Sequence, residues 1–225
     1  MSNLPFYISF IFVLIVFLTV LIFYIAAKRS KTTFLILSAW LILQAIISLT
    51  GFYTATSSMP PRSTLLILPP IIFIIILFAT QNGKKYIDSL NIKTLTILHT
   101  VRLPVEIVLY WLFVQKVVPQ IMTFEGRNFD IISGITAPII FYIGFYTMKT
   151  GRISILFWNF FCLGLLINIV IIAILSAPFS FQKFAFDQPN IAMLYFPYVW
   201  LPCFLVPLVL FSHLASIRQL LKKKI

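Results

Sequence analysis

Seven uncharged or nearly uncharged runs dominate the chain, at about 6–27, 33–55, 63–82, 94–118, 129–148, 153–176 and 194–217. Each is near the length of roughly 20 residues that carries an α-helix across about 30 Å of hydrocarbon. A chain in lipid must satisfy its own backbone hydrogen bonds, and a helix does so within a single run. The prediction is an all-α, polytopic membrane helical bundle of about seven transmembrane helices, forming a single domain over 1–225. Only 10% of residues are charged and 61% are hydrophobic, against roughly a quarter charged in soluble domains. Within 225 residues these runs leave no room for a separate soluble catalytic domain, so any chemistry must sit within or beside the helices.

The 17 Lys+Arg against 5 Asp+Glu would suggest nucleic acid in a soluble protein. Here the placement of the charges excludes that partner. The connections holding Lys28, Arg29 and Lys31, then Lys84, Lys85 and Lys93, then Lys149 and Arg152, and the tail Arg218, Lys222, Lys223 and Lys224 carry most of the positive charge. The alternate connections hold only Arg62, Lys116, Arg127 and Lys183. The positive-inside rule puts the richer set in the cytoplasm, with the N-terminus out and the C-terminus in, as in a multi-pass protein of a bacterial inner membrane. The first run has no basic residue before it and exceeds a signal-peptide core, so it reads as a retained helix. Cys162 and Cys203 both lie within apolar runs and read as buried free thiols.

Several helices contain proline: Pro69-Pro70 in the third run, Pro104 in the fourth, Pro138 in the fifth, Pro202 and Pro207 in the seventh. Each removes a helix hydrogen bond, and Pro104 or the Pro202/Pro207 pair is a candidate for shaping a cavity. The outer connection Pro178–Pro197 holds Phe179, Phe181, Phe184 and Phe186 and reads as an aromatic anchor in the interface plane, or alternatively as a lid.

The fourth run places His99, Arg102 and Glu106 in a hydrophobic helix, which is expensive in lipid. At about 100° per residue, His99 and Glu106 differ by roughly 20° and Arg102 lies about 60° from His99, so all three share one face that must point into the bundle. Arg102 and Glu106 have the spacing of a direct ion pair along the helix, either a self-neutralising pair or the polar end of a site. Gln44, Asn159, Asn168, Ser212 and His213 are the other polar groups at comparable depth. His99 and His213 lie near matched depths, which admits interhelical hydrogen bonding or, as a minor alternative, a bis-histidine haem. No cofactor is otherwise implied. The outer loop with Glu125, Arg127, Asn128 and Asp130 reads as a capping and surface-pairing group for the fifth helix, or as an outer gate.

Seven helices with this orientation match the topology of microbial rhodopsins, but no lysine lies within the seventh run. Two histidines are too few for the zinc site of the ceramidase-like hydrolases, and Asp130 is expected at the opposite membrane face. A single Pro119-Gln120 does not make a PQ-loop protein. The run Arg102-Leu-Pro-Val-Glu106, the stretch Thr123–Asp130 and Trp200-Leu-Pro-Cys203 resemble uncharacterised bacterial seven-helix membrane proteins, a resemblance that implies the fold and carries no function.

The expected function is non-enzymatic: binding or transport of a small apolar or amphiphilic molecule, with Arg102 and Glu106 at the polar end of a pocket beside the fourth helix and His99, Asn159 and His213 around it. Two alternatives remain. One is an intramembrane enzyme using His99 or His213 as a base with Glu106. The other is an accessory or sensor subunit docking another membrane protein through the Glu125–Asp130 loop. The lipid bilayer is a partner under every one of these readings.

Overall fold

The computed structural model describes residues 4–58, 60–147 and 151–222; of the basic residues above, Lys149, Lys223 and Lys224 lie outside the described residues. Helix α1 spans Phe6–Ala26 and α2 spans Lys31–Leu49. Helix α3, Thr64–Ala79, bends by 95° into the short polar α4, Gln81–Ser89. Helix α5, Ile92–Leu98, runs through a single 3-10 turn, His99–Val101, into α6, Arg102–Val114. Helix α7, Ile131–Phe141, ends in a π turn over Tyr142–Tyr146, and α8 spans Arg152–Leu175. A second π turn, Leu201–Leu205, opens α9, Val206–Lys222. No strand occurs among the described residues.

Five helices are long and apolar enough to cross a membrane, or six if the bent α3–α4 pair forms one span. The fifth expected run, 129–148, is the short one. From Ile131 to Tyr146 it rises only about 24 Å at 1.5 Å per residue, because the chain before it dips into the bundle before the helix starts.

Proline accounts for the three irregular turns. Pro104 has no N–H for the carbonyl of Thr100, and the 3-10 turn tightens the chain just before it. The two π turns follow Pro138 and surround Pro202. Pro207 likewise cannot serve the carbonyl of Cys203, which accepts instead from Trp40 Nε1 at 2.9 Å. Trp200 Nε1 donates to the carbonyl of Leu41 at 3.0 Å, so two indoles fasten α2 to the turn that opens α9.

Helix α9 is the centre. Of its most apolar stretch 72% is buried, against 17% for α2, which places α2 at the periphery. Ser212, Ala215 and Ser216 are fully buried, and such small side chains let neighbouring helices approach closely. Helices α1, α3, α5 and α8 surround this core, with Phe23 of α1 and Phe78 of α3 set edge-on to Phe211.

Hydrogen bonds identify which ends share a side. The N–H of Asn91 donates to the carbonyl of Ala26 at 2.9 Å, joining the end of α1 to the start of α5. Gln219 Nε2 donates to the carbonyls of Ile87 and Leu90, and Asp88 pairs with Arg218 and Lys222. At the opposite end Ser9 meets Tyr198 at 3.0 Å and the N–H of Ile191 donates to the carbonyl of Val117. The aromatic connection divides its roles there: Phe179 is buried with Ala177 and Leu194, while Phe181 and Phe186 are exposed.

The α4 clamp carries a pH signature. Hydrogen bonds from Lys222 and then Arg218 hold the Asp88 carboxyl below the ordinary aspartate range. A depressed folded value means that the clamp's stabilisation is complete above the unfolded value of about 3.9 and is lost as pH falls through the lower folded value. Melting midpoints of detergent-purified protein between about pH 5 and pH 2 should fall on acidification. Asp88→Asn should flatten that fall. An unchanged slope in the variant would show that other groups cause it.

Candidate functional site

The start of α6 turns its polar face into the bundle, as its helical spacing predicts. His99 is fully buried, and Arg102 and Glu106 are 3% and 2% exposed. The partners differ from those expected. Arg102 does not pair with Glu106 along the helix; its Nε donates to Asp130 Oδ2 at 2.5 Å and its Nη2 meets Asp130 Oδ1. This is a two-pronged guanidinium–carboxylate pair, the arrangement that best neutralises a buried arginine. Asp130 is therefore neither at the opposite membrane face nor on a watery loop, and its side chain makes no cap to α7. The connection before α7 re-enters the bundle, burying Met122, Thr123, Asn128 and Asp130.

Asn128 holds that re-entrant segment in place. Its Nδ2 donates to both Glu106 oxygens at 2.7 Å and to the carbonyl of Met122 at 3.0 Å, and its Oδ1 accepts from the N–H of Asp130 at 3.0 Å. Glu106 thus fixes the loop, and the loop delivers Asp130 to Arg102. Glu125 and Arg127, expected in the same group, are exposed. They form no ion pair among the described residues, and the carbonyl of Arg127 accepts from Asn168 Nδ2 at 2.9 Å.

On the other side of Arg102 the network crosses to α8 and α9. Arg102 Nη1 lies 3.0 Å from His213 Nε2, and His213 Nδ1 lies 3.0 Å from Asn159 Oδ1. Arginine only donates, so Nε2 accepts and the imidazole proton sits on Nδ1, pointing at the amide oxygen of Asn159. Asn159 Nδ2 in turn donates to the carbonyl of Ile155 at 2.9 Å. His213 is neutral, with both nitrogens engaged.

His99 and His213 do meet, but face to face, with ring centroids 3.8 Å apart and planes 16° from parallel. A bis-histidine haem needs a nitrogen of each ring aimed at one iron from opposite faces of the porphyrin. Stacked rings at this separation leave no gap for it. Trp158 packs edge-on to His99 at 5.5 Å, and neither His99 nitrogen has a hydrogen-bond partner among the described residues. Neither histidine bonds Glu106, so the acid–base pair needed for the enzymatic alternative is not assembled. Among the described residues no group of three or more His, Cys, Asp or Glu side chains is placed to hold a metal ion.

A cavity of about 550 Å³ lies elsewhere, between α2, α3 and α9, within the range of ligand pockets. Trp40, Phe73, Leu77, Pro207 and Phe211 contribute its apolar wall. Pro69 and Pro70 also border it, so the prolines that shape this space are those of α3 and α9, and Pro104 takes no part. Its polar residues are Ser30, Thr32, Thr33 and Tyr86, at the beginning of α2 and on α4. Thr33 and Tyr86 share a hydrogen bond of 3.1 Å. None of His99, Arg102, Glu106, Asn159 and His213 borders this cavity, which lies beside the second, third and seventh runs.

A model of the family described as Domain of unknown function (DUF8737) matches residues 59–221, well over half of the sequence. The chain belongs to the DUF8737 family. Every residue of the buried polar network lies within the DUF8737 stretch, as do the α3 and α9 walls of the cavity, whereas the α2 wall precedes it. No curated protein matches this DUF8737 member, and no solved structure matches it.

Sequence reasoning found Arg102 and its burial but missed Asp130 as its partner and Asn128 as the post that holds the loop. One signal was available. A buried arginine requires a carboxylate, and only five acidic residues exist. For the α2–α3–α9 cavity the sequence offered Pro207, which borders it, but not its α2 wall, because that depends on how a peripheral helix stands off its neighbours.

Proposed function

We propose that this protein is a multi-pass protein of the bacterial inner membrane, with seven membrane-embedded segments, the N-terminus out and the C-terminus in, that binds or moves a small apolar or amphiphilic molecule. The observation that carries this reading is the one-ended polarity of the α2–α3–α9 cavity: hydroxyls gather at one end, and aromatic, aliphatic and proline side chains form the rest. A molecule with a polar head and an apolar body matches that distribution, since apolar surface gains free energy by leaving water and a head group does not. The positive connections and the helix ends that meet at Ala26, Asn91 and Gln219 favour the stated orientation. The Arg102–Asp130 network then serves as the internal brace of the bundle and not as the binding site.

The test is mass spectrometry of small molecules retained after mild solubilisation. Wild type should carry a stoichiometric amphiphile. Ile36→Trp, which fills the cavity from α2, should lose most of it, and Glu125→Gln should keep it. An identical retained set in wild type and Ile36→Trp would overturn the assignment of the site.

A further inference from the structure

The polar end of the cavity lies where three basic segments of the chain converge. The first is the α1–α2 turn, where Lys28 and Arg29 adopt left-handed backbone, φ 53° and 59°, followed by Lys31 at the start of α2. The second is α4, whose Tyr86 reaches Thr33 at the cavity mouth and whose Lys84 and Lys85 immediately precede that tyrosine. The third is the end of α9, where Arg218 and Lys222 stand.

The position of α4 is not loosely determined. At Gly83 an added Cβ would fall 2.3 Å from the carbonyl oxygen of Leu77, so only glycine lets α4 fold this tightly back on α3. Thr80 caps the helix by accepting from the N–H of Gly83 at 3.2 Å. Tyr86 is thereby held across the mouth.

The charge there is not neutralised from within. Of the five acidic residues in the chain, Glu106 and Asp130 are committed to the buried network, and Glu125 and Asp187 lie in the two connections at the opposite end of the bundle. Asp88 alone stands on this side, and it is taken by Arg218 and Lys222. Lys28, Arg29, Lys31, Lys84 and Lys85 form no ion pair among the described residues, and no carboxylate borders the cavity.

We propose that the molecule held in the α2–α3–α9 cavity is an anionic amphiphile, a lipid whose phosphate head sits at the Ser30–Thr33–Tyr86 mouth among these cations and whose chain lies along Trp40 and Phe73. The inference rests on the reading that the cavity holds an amphiphile. Hydroxyls and ammonium or guanidinium groups are donors matched to phosphate oxygens, and an apolar wall some 12 Å long, from Thr32 to Trp40 along α2, matches the upper part of an acyl chain. Basic side chains beside a membrane also attract anionic lipid in a diffuse way. The proposal differs in requiring the chain to enter the cavity.

The experiment places the full-length protein in phosphatidylcholine nanodiscs and adds either phosphatidic acid or phosphatidylcholine with brominated acyl chains, whose bromines quench nearby indoles. The Trp40 signal is the difference between wild type and Trp40→Phe; native mass spectrometry of bound lipid reads the same preference if that variant does not fold. Brominated phosphatidic acid should quench Trp40 at a several-fold lower mole fraction than brominated phosphatidylcholine. Combining Arg29→Gln, Lys84→Gln and Lys85→Gln should remove that preference while quenching by phosphatidylcholine persists. Equal quenching by the two lipids would overturn the anionic head and leave the amphiphile reading standing. Absence of Trp40 quenching by either lipid would overturn both. Loss of the preference on adding millimolar inorganic phosphate alone would assign the mouth to free phosphate and overturn the lipid assignment.

Discussion

Asp130→Asn should lower the stability of the detergent-purified protein by about 3–5 kcal/mol, because it leaves Arg102 charged, buried and without its carboxylate. The asparagine amide oxygen could still accept one guanidinium hydrogen bond, beside the contacts to His213 Nε2 and the carbonyl of Cys162, but none of these groups carries the compensating charge. Glu106→Gln should cost less, since the amide can still accept from Asn128 through its oxygen, yet more than Glu125→Gln, which changes an exposed side chain and should stay within about 0.5 kcal/mol. The double change Arg102→Met with Asp130→Leu should recover much of the loss, as apolar replacement of a buried ion pair often does. Melting midpoints across this series decide the matter. An Asp130→Asn protein that melts with the wild type would remove the ion pair from any account of the fold.

The second large effect is expected at Gly134, where α7 crosses the start of α6. A Cβ built there lies 2.6 Å from the backbone nitrogen of Leu103 and 3.1 Å from its Cα. Those atoms belong to a helix that Pro104 and the Arg102 pair already fix, so they cannot yield as a side-chain tip would. Gly134→Ala should therefore destabilise by about 1–3 kcal/mol, the usual cost of overpacking. Gly164→Ala is the matched control, because nothing lies within 4 Å of its added Cβ. There the helix propensity of alanine should leave stability unchanged or raised by up to about 1 kcal/mol. If both substitutions moved the melting midpoint alike, close packing at Gly134 would not be the cause.

The sequence spoke most clearly where a property repeats along one helix. Run lengths marked α1, α2, the continuous α5–α6, α8 and α9, and the 100° spacing placed His99, Arg102 and Glu106 on a single buried face. Contacts between distant segments are a different kind of information. Asp130 is 28 positions from Arg102, and nothing in its immediate surroundings, a polar loop of ordinary composition, distinguishes a residue that dips into the bundle from one that faces water. The same loop explains the shortened α7, since residues expected to begin a span are used to bury Asn128 and Asp130. The bend at Thr80 was hidden by apolar composition, which reports how much of a helix tolerates lipid and not where its axis turns. Proline positions were legible, but their consequences were divided among a 3-10 turn, two π turns and a cavity wall according to what stood opposite each freed carbonyl.

The two indole hydrogen bonds of α2 have a mechanical consequence. Trp40 donates to the carbonyl of Cys203, and the carbonyl of Leu41 accepts from Trp200. Both attachments fall at adjacent residues, one level of a helix that otherwise presents most of its surface outward. A rod pinned at one level resists sliding along its length but little resists tilting about the pin. The arm from Trp40 back to Thr33 is about 10 Å at 1.5 Å per residue, so a tilt of about 10° would move the Thr33 end by nearly 2 Å. The hydrogen bond between Thr33 and Tyr86 and the short turn Ala27–Ser30 that joins α2 to α1 restrain the end of that lever, so the width of the cavity mouth is set by contacts outside the helix and not by any bond within it.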